Sequence, residues 1–148
     1  MENIRPAVSD DLARIAEIYI FNYRMSFYPV FKSDWFYFID LQVPEIMKRF
    51  SEEVEQMYVY DDGAVKGFVQ IQGTEIRRLF VEPVLHNMGI GSRLLEFAIG
   101  KGGDHLWPLE LNKDAIRLYE RFGFRPTGNR KPEEGTDEFL VEMKLTDD

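Results

Sequence analysis

The stretch "VEPVLHNMGIGSRLLEFA", residues 81–98, joins the end of an apolar run to the start of an amphipathic one, with Gly89 and Gly91 at the junction. Glycine weakens the start of a helix, so its presence there marks a backbone that turns sharply or comes very close to something. Three readings follow: a plain turn, a phosphate cradle, or a grip on another anionic ligand. Beyond the junction, Ile90, Leu94, Leu95, Ala98 and Ile99 share one face and predict a helix from Gly89 to Gly100. The free N–H groups and the dipole at its N-terminus attract an anion without a lysine. The Walker pattern is absent, and GxGxxG fails because Leu94 stands where its last glycine belongs.

Upstream of the junction, "TEIRRLFVEP" reads as a strand ended by Pro83, and "QMYVY" and "AVKGFVQIQ" as a hairpin turning at Asp62-Gly63. "NIRPAV" at residues 3–8 is an edge strand, since Pro6 would break a central ladder. Ser9 then caps a helix through "DDLARIAEIYIFNYRMSF", with Leu12, Ile15, Ala16 and Tyr19 at helical spacing, and a second helix runs from Val43 to Arg49. Downstream, "HLWPLEL" is a strand bent at Pro108. Asn112 caps the helix "KDAIRLYERFG", which Gly123 closes, and "DEFLVEMKL" is a final alternating strand. A helix between "EIRRLFV" and "HLWPLEL" makes those two strands parallel neighbours through a right-handed crossover. With no repeat or linker, residues 1–148 read as one domain, a mixed α/β fold with helices on both faces of its sheet.

The 148 residues are 45% apolar and 30% charged, the balance of a soluble globular domain. No stretch approaches the ~20 consecutive apolar residues of a membrane helix, and the N-terminus has no secretory pattern, so no membrane partner is expected. There is no cysteine and only two histidines, which excludes a thiol nucleophile, makes a metal site unexpected and fits a cytoplasmic location. A net charge of −8 disfavours nucleic acid and tilts toward a cationic small molecule or a basic partner.

A second segment, "LELNKDAIRLYERFGF" at residues 109–124, puts Asn112, Ala115, Ile116 and Tyr119 near one helical face. Alone, it reads as an N-cap and a core tyrosine. Together and in this order, the two segments resemble the GNAT superfamily of acetyl-CoA-dependent N-acetyltransferases. "HNMGIGSRLL" is similar to its pyrophosphate signature Q/R-x-x-G-x-G/A, and "LNKDAIRLYERFGF" to its block N-x-x-A-x-x-x-Y-x-x-x-G-F. The resemblance is carried by residues 75–124; the departure is His86, where the pattern has Gln or Arg.

The resemblance implies a mixed α+β fold: a mostly antiparallel central sheet of six to seven strands, with a parallel pair splayed near Pro108. It implies acetyl-CoA as acetyl donor. Leu79, Phe80 and Val81 would hold the pantetheine arm through their backbone. His86, Asn87, Met88, Gly89, Ile90, Gly91 and Ser92 would wrap the pyrophosphate, and Asn112, Ala115 and Tyr119 would complete the cofactor contacts. Tyr119 would be the general acid for the departing thiolate, and Glu75, eleven residues before His86, the candidate base. For Glu75 the plain alternative is a solvent-facing strand carboxylate.

The acceptor implied is a primary amine of a small molecule or peptide. Ten aromatic residues, from Tyr19 to Phe38, fall in the half that supplies the acceptor pocket in this superfamily. They read either as pocket wall or as core with a homodimer interface. Two competing functions remain: a non-catalytic acyl-CoA sensor, which needs no placed acid such as Tyr119, and a site for another nucleotide, which the Asn112-to-Phe124 block disfavours.

Overall fold

The computed structural model describes residues 3–27, 41–133 and 137–146. Among the described residues there are seven strands: β1 (Ile4–Pro6), β2 (Met57–Asp61), β3 (Val65–Gln72), β4 (Glu75–Val81), β5 (His105–Leu106), β6 (Phe124–Pro132) and β7 (Phe139–Leu145). The α-helices of the described residues are α1 (Leu12–Asn22), α2 (Val43–Ser51), α3 (Ile90–Gly100) and α4 (Lys113–Arg121). The strand order is β1-β2-β3-β4-β5-β7-β6. β4 and β5 are parallel, whereas β1–β2, β2–β3, β5–β7 and β6–β7 are antiparallel. This is the mostly antiparallel mixed sheet expected from the sequence, with its one parallel pair. No helix among the described residues is long and apolar enough to cross a membrane. The chain gathers into two compact units, residues 1–70 with 78–97, and residues 71–77 with 98–148.

In the first unit, β1 lies at the sheet edge, where the missing N–H of Pro6 costs no ladder bond. The helix after it starts differently from expectation. Residues Ser9–Asp11 form a 3-10 turn and α1 begins at Leu12; the Ser9 side chain makes no cap. Asp11 stands at the N-cap position of α1 without a side-chain cap bond; its buried carboxylate reaches back to accept the Val8 N–H at 2.8 Å and two Arg5 N–H bonds at 2.9 and 3.0 Å. Arg5, and then the Val8 N–H, hold that carboxyl below its ordinary pKa. These charge-assisted bonds fix the turn over Val8–Asp11, so α1 starts after it and not at Ser9.

Ile15, Ala16, Ile18 and Ile20 of α1 and Ile46 and Phe50 of α2 are almost fully buried, in one cluster with Met57, Val59 and Phe68. The Tyr19 ring meets Phe50 at 5.1 Å and Phe80 at 5.3 Å. Of the dense aromatic segment, Tyr19, Phe21 and Tyr23 are within view; the side chains from Phe27 to Phe38 lie outside the described residues. The expected hairpin forms, and its register slips between Tyr60 and Asp61 as the chain enters the turn.

Gly67, on β3, is a point of close approach. A Cβ there would lie 3.0 Å from the Phe80 carbonyl oxygen and from Leu94 Cδ1, and 3.4 Å from Ile90 Cγ2. The first turns of α3 rest on β3 and β4 because this position has no side chain.

In the second unit, β5 is only two residues long, shorter than the strand expected over 105–111. Pro108 has no N–H to give, so the ladder stops; its carbonyl still accepts the Val141 N–H at 3.0 Å, and pairing with β7 resumes at Leu109 opposite Leu140. β4 and β5 pair only at Glu75 and His105. Asn112 caps α4 as expected, its Oδ1 accepting the Ala115 N–H at 3.2 Å, and Gly123 follows the helix at φ 98°. β6 has no counterpart in the sequence pattern: Pro126, Gly128 and Pro132 interrupt it, and every residue after Phe124 is exposed.

Gly67→Ala should cost about 1–3 kcal/mol, the range for overpacking a tight contact. Urea unfolding of the purified variant measures it, and an unchanged midpoint would show that the neighbours give way freely.

Candidate functional site

The first unit contains the whole glycine junction. β4 ends at Val81, residues Pro83–Leu85 make a 3-10 turn, and residues 86–89 lead exposed into α3. Asn87 and Gly89 are left-handed, at φ 66° and 88°, which lets the chain double back over two residues. A Cβ on Gly89 would meet nothing within 4 Å, so space is not what requires glycine there; the backbone angle is. The helical ladder opens with the Arg93 N–H on the Gly89 carbonyl at 3.1 Å. The N–H groups of Ile90, Gly91 and Ser92 therefore have no acceptor among the described residues. No acidic residue stands in the first turn of α3 to occupy them. An anion fits this end by charge and by hydrogen bonding.

The Val81 carbonyl is held by two side chains. Asn22 Nδ2 donates to it at 2.8 Å and to the Ile18 carbonyl at 2.8 Å, and His86 Nε2 reaches it at 3.0 Å. Against a carbonyl oxygen, that histidine nitrogen carries its proton. The Glu82 N–H donates to the Lys66 carbonyl at 2.9 Å, and the Glu82 carboxylate pairs with Arg14 at 2.7 Å. The end of β4 is thus tied to α1, to β3 and to the loop that follows it. Asn22 was missed in the sequence; its one signal is an amide closing the apolar run of α1, where it is buried. Leu79 and Phe80 are half-buried, and the Phe80 ring packs on Phe68 at 5.8 Å. On the β5 side, the strand pairing of β4 is at Glu75 and does not reach Leu79 or Phe80.

The second unit holds Glu75, Asn112, Ala115 and Tyr119. Glu75 is half-buried as the first residue of β4. Beside its strand partner His105, Asp104 accepts from His105 Nδ1 at 2.7 Å, which holds the Asp104 carboxyl below its ordinary range. Ala115 and Asn112 are half-buried, and Asn112 Nδ2 remains available because the cap uses only Oδ1. Tyr119 is buried, 9% exposed, with its ring edge-on to Phe124 at 6.1 Å. Its hydroxyl has no hydrogen-bond partner among the described residues. Burial pushes its pKa up to about 12, so the phenol stays neutral and protonated through the physiological range. An unpartnered buried hydroxyl is costly and calls for a ligand group to meet it. No group of His, Asp or Glu among the described residues is arranged to hold a metal.

Comparison with known proteins gives a match over residues 53–126 to the family model described as the acetyltransferase (GNAT) domain. An N-acetyltransferase from Staphylococcus aureus Mu50 is similar at 14% identity and TM-score 0.76, over 96% of this chain and 99% of that one. A putative acetyltransferase, yncA from Salmonella typhimurium, solved with its cofactor acetyl-CoA, is similar at 20% identity and TM-score 0.71, over 98% and 93%. The PaiA N-acetyltransferase from Thermoplasma acidophilum, in complex with coenzyme A, is similar at 18% identity and TM-score 0.66, over 96% and 98%. A search of curated proteins gives no significant sequence match.

The histidine tie can be tested by substitution. His86→Gln keeps a donor for the Val81 carbonyl and should leave coenzyme A affinity near wild type. His86→Ala removes it and should weaken binding roughly threefold to tenfold, the worth of one ordinary hydrogen bond. Calorimetric titration of both variants measures the difference; equal affinities would show that the ring does not anchor the strand end.

Proposed function

Because the chain belongs to the GNAT acetyltransferase family, we propose that it transfers an acetyl group from acetyl-CoA to a primary amine of a small molecule or peptide, by direct attack in a ternary complex. The observation that carries this reading is the row of unspent N–H groups at Ile90, Gly91 and Ser92, entered through the left-handed Asn87 and Gly89.

Acetyl-CoA supplies an activated thioester. Residues His86 to Ser92 take its pyrophosphate on their backbone. Leu79, Phe80 and Val81 hold the pantetheine arm, and N–H groups around Phe80 and Val81 meet the charge that develops on the acetyl oxygen. Asn112 Nδ2 and Ala115 complete the cofactor contacts. Glu75 accepts the proton lost by the amine, directly or through water. Nitrogen bonds to the acetyl carbon as the carbon–sulfur bond breaks, and the departing sulfur takes a proton.

Tyr119 is the donor for that sulfur. An ordinary thiol has a pKa near 8.5, so complete transfer from a phenol at about 12 would cost ~5 kcal/mol. Tyr119 therefore works as a relay: it hydrogen-bonds the sulfur, and as it passes its proton there it takes one from water, to which Glu75 releases the proton it took from the amine. In this role it contributes no alkaline limb to kcat until the pH approaches 12, because the working form is the neutral one.

The first experiment is a calorimetric titration with acetyl-CoA, with ATP as control, followed by amine-dependent release of CoA read with a thiol reagent. The protein has no cysteine, so the reagent sees only the product. Tyr119→Phe should lower kcat by about 10²–10⁴-fold and leave the acetyl-CoA Kd unchanged; unaltered turnover would return Tyr119 to the core. Gly91→Glu should abolish acetyl-CoA binding in a folded protein, by setting a carboxylate on the anion end of α3. Retained binding would remove residues 86–92 from the cradle.

A further inference from the structure

β4 carries an arginine that is largely buried and only partly used. Arg78 has a side chain 13% exposed, and its Nη1 donates to Gln70 Oε1 at 2.5 Å and to Glu53 Oε1 at 3.2 Å. Gln70, with no exposed surface, in turn gives Nε2 to Glu53 and Gln56, each at 2.8 Å. The guanidinium lies over the Phe50 ring at 4.7 Å and 5.9 Å from the Tyr19 ring. Five N–H groups are available on arginine, and these bonds use the two on Nη1. Nε and Nη2 have no partner among the described residues.

That remainder is informative. Burying a guanidinium is costly unless its donors are met, and an arginine kept only to brace β3 against α2 would turn its whole fork on protein acceptors. Here Glu53 balances the charge while Nε and Nη2 are left as an edge of parallel N–H groups. Two such groups in one plane match the two oxygens of a carboxylate. The location gives the edge its meaning: Arg78 immediately precedes Leu79–Val81, the segment assigned to the thioester arm, and its guanidinium faces aromatic rings from α1 and α2. The net charge of −8 favours the amine of an acceptor over its carboxylate, so a carboxylate is held here by the local guanidinium and not by the field of the whole protein.

We propose that Arg78 binds a carboxylate of the acceptor, and that the acceptor is a small aminocarboxylate, a molecule bearing both the amine to be acetylated and a carboxylate. This rests on the acetyltransferase reading and names its substrate class. The carboxylate is gripped and not consumed; the acetyl group goes to nitrogen as before.

The test pairs acceptors that differ only in this group: alanine, leucine, methionine, phenylalanine and glutamate, each against its α-carboxamide and its decarboxylated amine. Wild-type protein should favour the carboxylate member in kcat/KM by about tenfold or more, the worth of a charge-assisted bidentate contact. In Arg78→Gln that ratio should fall to near one, and in Arg78→Lys to a value between. The acetyl-CoA Kd, measured by calorimetry, should not follow the ratio. If wild-type protein fails to bind acetyl-CoA, the acetyltransferase reading itself falls. If it binds acetyl-CoA but treats each pair alike, prefers the amides or amines, acetylates none of the panel, or keeps its preference in Arg78→Gln, the carboxylate assignment alone is overturned. Should the variants not fold, the wild-type ratio decides.

Discussion

One carbonyl oxygen, that of Val81, organises the first unit. It accepts from Asn22 at the end of α1 and from His86 in the loop before α3, and so fastens a helix, a strand end and a turn at one point. The strand end matters because β4 leaves its parallel neighbour almost at once, pairing with β5 only at Glu75. Beyond Glu75 the β5 side of β4 has no strand pairing with β5, while β3 holds its other edge, so further anchors steady the strand end. The two side chains, the bond from the Glu82 N–H to Lys66 and the Arg14–Glu82 pair supply them. What results is a firmly placed strand end leading into a helix N-terminus whose first N–H groups meet no acceptor among the described residues.

The packing beneath that end serves the same purpose. The first turns of α3 come close to β3 and β4 only because Gly67 has no side chain. A backbone cradle depends on placement more than on side-chain chemistry, since its donors belong to the main chain. His86 stands where the family pattern has Gln or Arg, and its ring reaches the Val81 carbonyl at 3.0 Å, so it holds the backbone of this turn.

Much of this was legible in the sequence where local chemistry decides. The Asp62-Gly63 hairpin, the Asn112 cap with Gly123 after α4, and the glycine junction each rest on a backbone preference confined to a few residues. What was not legible depends on residues distant in the chain. Ser9 caps nothing because the chain turns once more before α1, in a turn fixed by Asp11 and Arg5, and Arg5 is itself held by Asp61, 56 positions further along the chain. β6 escaped because an exposed edge strand needs no apolar alternation and its pairing comes from β7. Asn22 and Arg78 look like polar interruptions of apolar elements until the Val81 carbonyl, Gln70 and Glu53 are seen beside them. Tyr119 was marked by its place in a motif, whereas its lone hydroxyl and raised pKa follow from burial.

The two outermost strands have a further consequence. A sheet edge is a template on which another chain can add a strand, and this sheet ends in β1 and β6. β1 is three residues long and contains Pro6, with Arg5 beside it. β6 has Pro126 and Pro132, the charges of Arg125, Arg130 and Lys131, and a register break between Pro126 and Arg130. Each edge offers an incoming strand missing donors, like charges and a broken ladder. Both ends of the sheet are thus poor templates for edge-to-edge pairing, and Pro126, Arg130 and Pro132 are what make β6 one.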